Sequence, residues 1–172
     1  FERPDTGEVT VGETNVAGLP PYQIALTGVI RTFQDNVVFP DDTPLEALIV
    51  AQQGARRSGA LGQFFGTRAA RAEMAKMAAT ARDILAEMEL DTLSHMPCSA
   101  LSHGHLRRLS IAMALAAGPR ILLLDEPFAG LNDTETTAAM RHVRNIADQR
   151  DIGVVLVEHD MRAVMEISDR IF

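Results

Sequence analysis

Two acids stand together after a short aliphatic run in Ile121-Leu122-Leu123-Leu124-Asp125-Glu126-Pro127. A carboxylate at the carboxyl end of a buried parallel strand can hold Mg²⁺ directly or through water, and its neighbour can position or deprotonate an attacking water. A second run, Val154-Val155-Leu156-Val157, ends in Glu158-His159-Asp160. If that strand lies parallel to the first, His159 reaches the same sheet edge as Glu126, where a histidine can sense a γ-phosphate through a charge-assisted hydrogen bond. Each string alone also fits an ordinary strand end followed by a turn. Their order along one chain raises the chemical reading.

Upstream, Leu101-Ser102-His103-Gly104-His105 precedes a helical pattern in which Leu106, Leu109, Ala112 or Met113, and Ala116 share a face. Ser102 stands at the start of that helix and Gly104 permits close backbone approach, which together make an anion site or an ordinary N-cap. Zinc at His103 and His105 is a weak alternative, because their spacing matches no common helical ligand pair. Gln34, in Arg31-Thr32-Phe33-Gln34, stands at the junction between a strand-rich start and a helical stretch. The single lysine, Lys76, lies between Ala75 and Met77 in a helical pattern, so no Gly-rich phosphate loop ending in Lys-Ser/Thr is present in these 172 residues.

The elements that must position these groups follow from periodicity. Residues 7–16 alternate apolar and polar and predict a half-exposed strand followed by a turn. Gly18-Leu19-Pro20-Pro21 punctuates, residues 22–26 suggest a short helix, and residues 29–34 a strand running into a loop. Thr43-Pro44-Leu45-Glu46 is a helix start, with Thr as cap, Pro in the first turn and a carboxylate behind it. Helical patterns continue to Leu90, broken by a Gly-rich segment at residues 58–66. Within residues 68–89, Met74, Met77, Ala78, Ala81, Ile84, Leu85 and Met88 recur at helical spacing, a core stripe rather than a set of ligands. After Gly118-Pro119 the pattern is strand 121–124, helix near 133–149, strand 154–157 and helix near 161–167. Strands separated by such a helix pair in parallel. The expected fold class is α/β, a parallel core carrying an inserted, mostly helical lobe.

Composition sets bounds on the task. The 172 residues, 47% hydrophobic, suffice for one sizeable core. The formal net charge of −7 argues against nucleic acid as the main partner. One cysteine excludes an internal disulfide and suits a reducing compartment. No apolar run approaches the roughly 20 residues of a membrane helix, so work at a membrane would pass through partners. The start at Phe1 and the fresh apolar segment beginning at Ile171 suggest a fragment.

Taken together, these strings resemble the ABC ATPase family over essentially the whole chain. Gln34 resembles its Q-loop, residues 101–105 its signature, residues 121–126 its Walker B strand with catalytic glutamate, Gly130-Leu131-Asn132 its D-loop, and His159 its switch histidine. Arg31-Thr32-Phe33-Gln34, Ala129-Gly130-Leu131-Asn132 and Glu158-His159-Asp160-Met161 resemble more particularly the ATP-binding subunit of branched-chain amino acid importers. His103 and His105 depart from the usual Gly and Gln of the signature. The resemblance implies a partial P-loop NTPase core with a short N-terminal β segment. Residues 1–37 would be the β remnant with the Q-loop, 38–117 the helical subdomain, and 118–172 the parallel core. It implies ATP and Mg²⁺ as cofactors, Glu126 and His159 as catalytic residues, Gln34, Ser102, Gly104 and Asp125 as nucleotide-binding residues, and Asp125 with Gln34 at the metal. Expected partners are a second ABC ATPase subunit, alike or different, transmembrane permease subunits and, indirectly, a solute-binding protein, at the cytoplasmic face of the membrane. An isolated 172-residue chain is expected to be inactive. A lipid or lipopolysaccharide exporter ATPase, or a non-catalytic piece presenting only a signature face, are the alternatives.

Overall fold

A computed structural model of the chain describes residues 6–32, 39–54 and 68–172. The alternation near the start does not make one strand. Gly12, at φ 59°, turns the chain back, so that β1 (Thr10–Val11) pairs antiparallel with β2 (Thr14–Asn15). The turn needs a left-handed residue, which glycine supplies at no steric cost. Pro20-Pro21 then opens the short helix α1 (Pro21–Leu26), which leads into β3 (Val29–Arg31).

Helix α2 (Pro44–Gly54) begins at the expected signal. The Thr43 hydroxyl accepts from the Glu46 N–H at 3.3 Å, while Glu46 Oε2 takes the Thr43 N–H at 2.9 Å and its hydroxyl at 2.8 Å, a reciprocal capping box. Helix α3 (Arg68–Glu87) is alanine-rich, as its propensity requires. Its buried stripe starts at Met77 rather than Met74, which is 41% exposed, and it closes through Glu89 in the left-handed region at φ 53°, with Leu90 N–H on Leu85 O. The Gly-rich segment 58–66 lies outside the described residues.

Helix α4 (His103–Ala116) runs from the Ser102 cap into the turn at Gly118, and β4 (Ile121–Asp125) follows. Helix α5 (Asp133–Arg150) starts from Asn132, β5 is Gly153–Val157, and α6 is Met161–Ile167. The sheet order is β3-β4-β5, both pairings parallel, with Ile30 opposite Leu122 and Asp125 opposite Val157. β4 is thus central, and its end and that of β5 share one rim. Leu122 and Leu124 are fully buried, and they join Leu109, Ala112 and Leu115 of α4 with Met140, Val143 and Ile146 of α5 in one cluster. The same cluster includes Leu48, Ile84 and Leu85 from the helical stretch, so the core is continuous across both parts. Each such leucine, isoleucine, valine or methionine side chain contributes roughly 1.5–3 kcal/mol of burial. Arg150, ending α5, reaches back to Glu87, ending α3, at 2.8 Å and ties the two parts at the surface.

Candidate functional site

Strand register decides which side chains meet. Because Asp125 pairs with Val157, the residues just beyond, Glu126 and Glu158, leave the sheet side by side. The Glu126 N–H continues the ladder onto Val157 O at 2.9 Å, and the chain then turns back through Ala129 N–H on Glu126 O. At this bend Glu126 has φ 45°, in the left-handed region. That conformation costs a glutamate about 1–3 kcal/mol, and it persists only where surrounding bonds fix it. Its carboxylate points to the partly open rim, where Oε1 lies 3.8 Å from Nδ1 of His159. The separation is that of an ion pair when the imidazole is protonated, and it leaves both groups accessible, Glu126 at 42% and His159 at 75% side-chain exposure.

Asp125 stands beside them with a partner of its own. Its Oδ2 accepts from the Arg31 guanidinium at 2.6 Å, so the end of β3 also feeds the rim. The Glu158 side chain is turned inward, at 2% exposure; Oε1 accepts the Phe128 N–H at 2.9 Å and Oε2 the His159 N–H at 3.2 Å. Asp160 caps α6, and the Arg162 N–H it accepts holds its carboxyl below the usual aspartate range.

Ser102 is an N-cap whose hydroxyl accepts from His105 N–H at 3.2 Å and is otherwise exposed. Next to it the packing is tight. A Cβ on Gly104 would stand 2.9 Å from Glu135 Oε1 and 3.5 Å from Leu131, and one on Gly130 would stand 3.1 Å from His103 Nε2. A side chain at position 104 would therefore have to displace a neighbouring carboxylate of the same chain. That carboxylate also caps α5, taking the Asn132 N–H at 3.0 Å while Asn132 Oδ1 takes the Glu135 N–H. So the start of α4 and the start of α5 lock together through His103, Gly130 and Glu135.

The rim thus brings together Asp125, Glu126 and His159, while Gly104 packs against Leu131 and Glu135 and Ser102 caps its own helix instead. Gln34 lies outside the described residues. Two residues gained a place that sequence reading gave them no task for, Arg31 and Glu158. The signal for Glu158 was parity. It falls on the same side as Val154 and Leu156, which pack on the core, so its carboxylate is carried inward and must find donors.

The donor set suits Mg²⁺ at Asp125, a hard oxygen ligand at a strand end. Among the described residues no three His, Cys, Asp or Glu are placed to hold an ion together, so an ion there would take the rest of its shell from water and phosphate. Chemically, the rim presents an accessible carboxylate and an imidazole 3.8 Å apart, with the Asp125 carboxylate one residue before Glu126.

The ABC transporter family model matches residues 1–129. The chain belongs to the ABC transporter family. Among its relatives, the high-affinity branched-chain amino acid transport ATP-binding protein BraF of Pseudomonas aeruginosa is 37% identical over 171 residues, covering 99% of this chain and 67% of BraF. The LivG protein of Escherichia coli K12, of the same description, is 36% identical over 172 residues, covering 100% of this chain and 68% of LivG. These alignments, unlike the family match, take in His159. Among solved structures, the ADP conformation of MJ1267, an ATP-binding cassette of an ABC transporter, superposes with a TM-score of 0.78 at 23% identity, over 98% of this chain and 65% of that one. This ABC chain therefore has the cassette fold, and it spans about two thirds of the length of the relatives it matches.

Proposed function

We propose that the chain supplies the hydrolytic rim of an ATPase subunit that energises a membrane importer, with branched-chain amino acids as the transported class. The observation that carries this is the approach of Glu126 Oε1 to His159 Nδ1, 3.8 Å, beside Asp125 at the carboxyl ends of β4 and β5. The transported class is supported by the identity to BraF and LivG.

In this reading Glu126 accepts the proton of the attacking water, and His159 steadies the γ-phosphate by a charge-assisted hydrogen bond. Asp125 and, by resemblance, Gln34 hold Mg²⁺, which when bound neutralises charge on the phosphates. Arg31, bonded to Oδ2 of Asp125, competes with that ion for the carboxylate. Ser102 and the first N–H groups of the 14-residue α4 face a phosphate presented by a second ATPase subunit. Residues 1–37 act as β segment with Q-loop, lending β3 to the parallel sheet, 38–117 as helical subdomain, and 118–172 as the rest of the parallel core. Among the described residues no helix is long and apolar enough to cross a membrane, so the permease subunits would carry the path, with this subunit docked at their cytoplasmic face and the solute delivered by a separate binding protein. By itself the 172-residue chain is expected to bind a fluorescent ATP analogue poorly and to hydrolyse no ATP, because its only lysine lies in α3.

The test is Glu126→Gln in the assembled transporter. ATP turnover should fall by about 100-fold or more while nucleotide binding is kept, the loss expected for removing a general base. Loss of binding together with turnover would make Glu126 structural and refute the reading.

A further inference from the structure

We infer that Glu158 is a positioning residue for the rim, one carboxylate that sets both Glu126 and His159; the inference rests on the hydrolytic reading above. Side chains at Val154 and Leu156 pack on the core, and Glu158 continues their side of the strand. The result is an acid at 2% side-chain exposure. Among the described residues, the one side chain that could carry positive charge within ion-pair distance of it is His159, with Nδ1 at 3.9 Å. A carboxylate so placed is tolerable only when hydrogen bonds replace its hydration.

Both donors it finds are backbone groups of the two loops that carry the chemistry. The Phe128 N–H, on Oε1 at 2.9 Å, belongs to the peptide two residues beyond Glu126. The His159 N–H, on Oε2 at 3.2 Å, fixes the peptide from which the imidazole hangs. Glu126 itself has the left-handed φ of 45°, and its own N–H is pinned to Val157 O. With one end pinned to β5 and the other braced by Glu158, the bend cannot relax toward a negative φ. Were the brace removed, the backbone at Glu126 would be free to relax and its carboxylate would swing from His159. Glu158 thus touches no substrate; it acts through the peptides of two residues that do.

The experiment compares Glu158→Gln with wild type and with Glu126→Gln in the assembled transporter. Glutamine fills the same volume, but its amide can accept only one of the two N–H groups and turns its own donors on the other. The expected result is a fall in kcat of about tenfold to 100-fold per nucleotide-binding site, the scale of a small misplacement, with nucleotide affinity within about threefold of wild type. Amide exchange should rise at Phe128 and His159 together and stay unchanged at Leu122. A residue that only supported folding would lower the number of competent sites and leave kcat per site as it was, and that outcome overturns the inference. If Glu158→Gln does not fold, the wild type still decides. Its Phe128 and His159 amides must be protected to a common degree, and rapid exchange at either one in the folded protein overturns the inference. Wild-type turnover in Glu126→Gln would sink the functional reading itself; loss of turnover there with normal kcat in Glu158→Gln would sink only the role of Glu158.

Discussion

Glu126 owes its aim to a backbone conformation that glutamate seldom adopts, and the strain is held by bonds from the neighbouring strand. The residues with chemistry were legible because each followed an apolar run whose end had to lie at a sheet edge. Their partners were not. Arg31 meets Asp125 across 94 positions and Glu158 meets Phe128 across 30, so both pairings depend on a strand register that no local pattern specifies. The Arg31–Asp125 contact is close, yet the arginine side chain is 55% exposed and water screens the pair. Arg31→Gln should therefore cost less than about 1 kcal/mol in urea unfolding. A larger loss would show the pair to be structural rather than a replaceable occupant of the carboxylate.

At the scale of elements, caps were the most readable feature and long-range packing the least. Thr43 and Ser102 each stand where the sequence places a helix start, and each side chain accepts an N–H of the first turn; Asn132 does the same at α5, where the sequence reading named no cap. The Thr43 N–H, and after it the Thr43 hydroxyl, hold the Glu46 carboxyl below the usual glutamate range. A depressed carboxyl favours the folded state above its unfolded value, and the benefit is lost as pH falls through the folded value. The stability difference between wild type and Thr43→Ala should then be largest near neutrality and shrink on acidification below the ordinary glutamate range, read by thermal melts across pH. A difference that grew in acid would contradict the cap assignment. By contrast, the hairpin of β1 and β2 was hidden within an alternation that could equally extend as one strand, because only Gly12 marks the reversal. Gly104 was legible as a site of close approach, but the approaching group is Glu135, known only once α4 and α5 are packed.

For the molecule as a whole, the order of apolar strands and helices was enough to give a parallel α/β core joined to helices, since a strand, a helix and a second strand allow little else. What that architecture does is bring segments far apart in sequence to one rim: β3 delivers Arg31, β4 delivers Asp125 and Glu126, β5 delivers Glu158 and His159. The rim is open to solvent, with Glu126 at 42% and His159 at 75% side-chain exposure. The central claim is that Glu126 and His159, set 3.8 Å apart by this sheet, work as one hydrolytic unit. The most direct measurement is a double-mutant cycle on kcat with Glu126→Gln, His159→Ala and their combination in the assembled transporter. Groups acting as a unit are strongly non-additive, so the double variant should turn over within about threefold of the worse single variant. Losses that multiply, as for independent sites, would contradict the account.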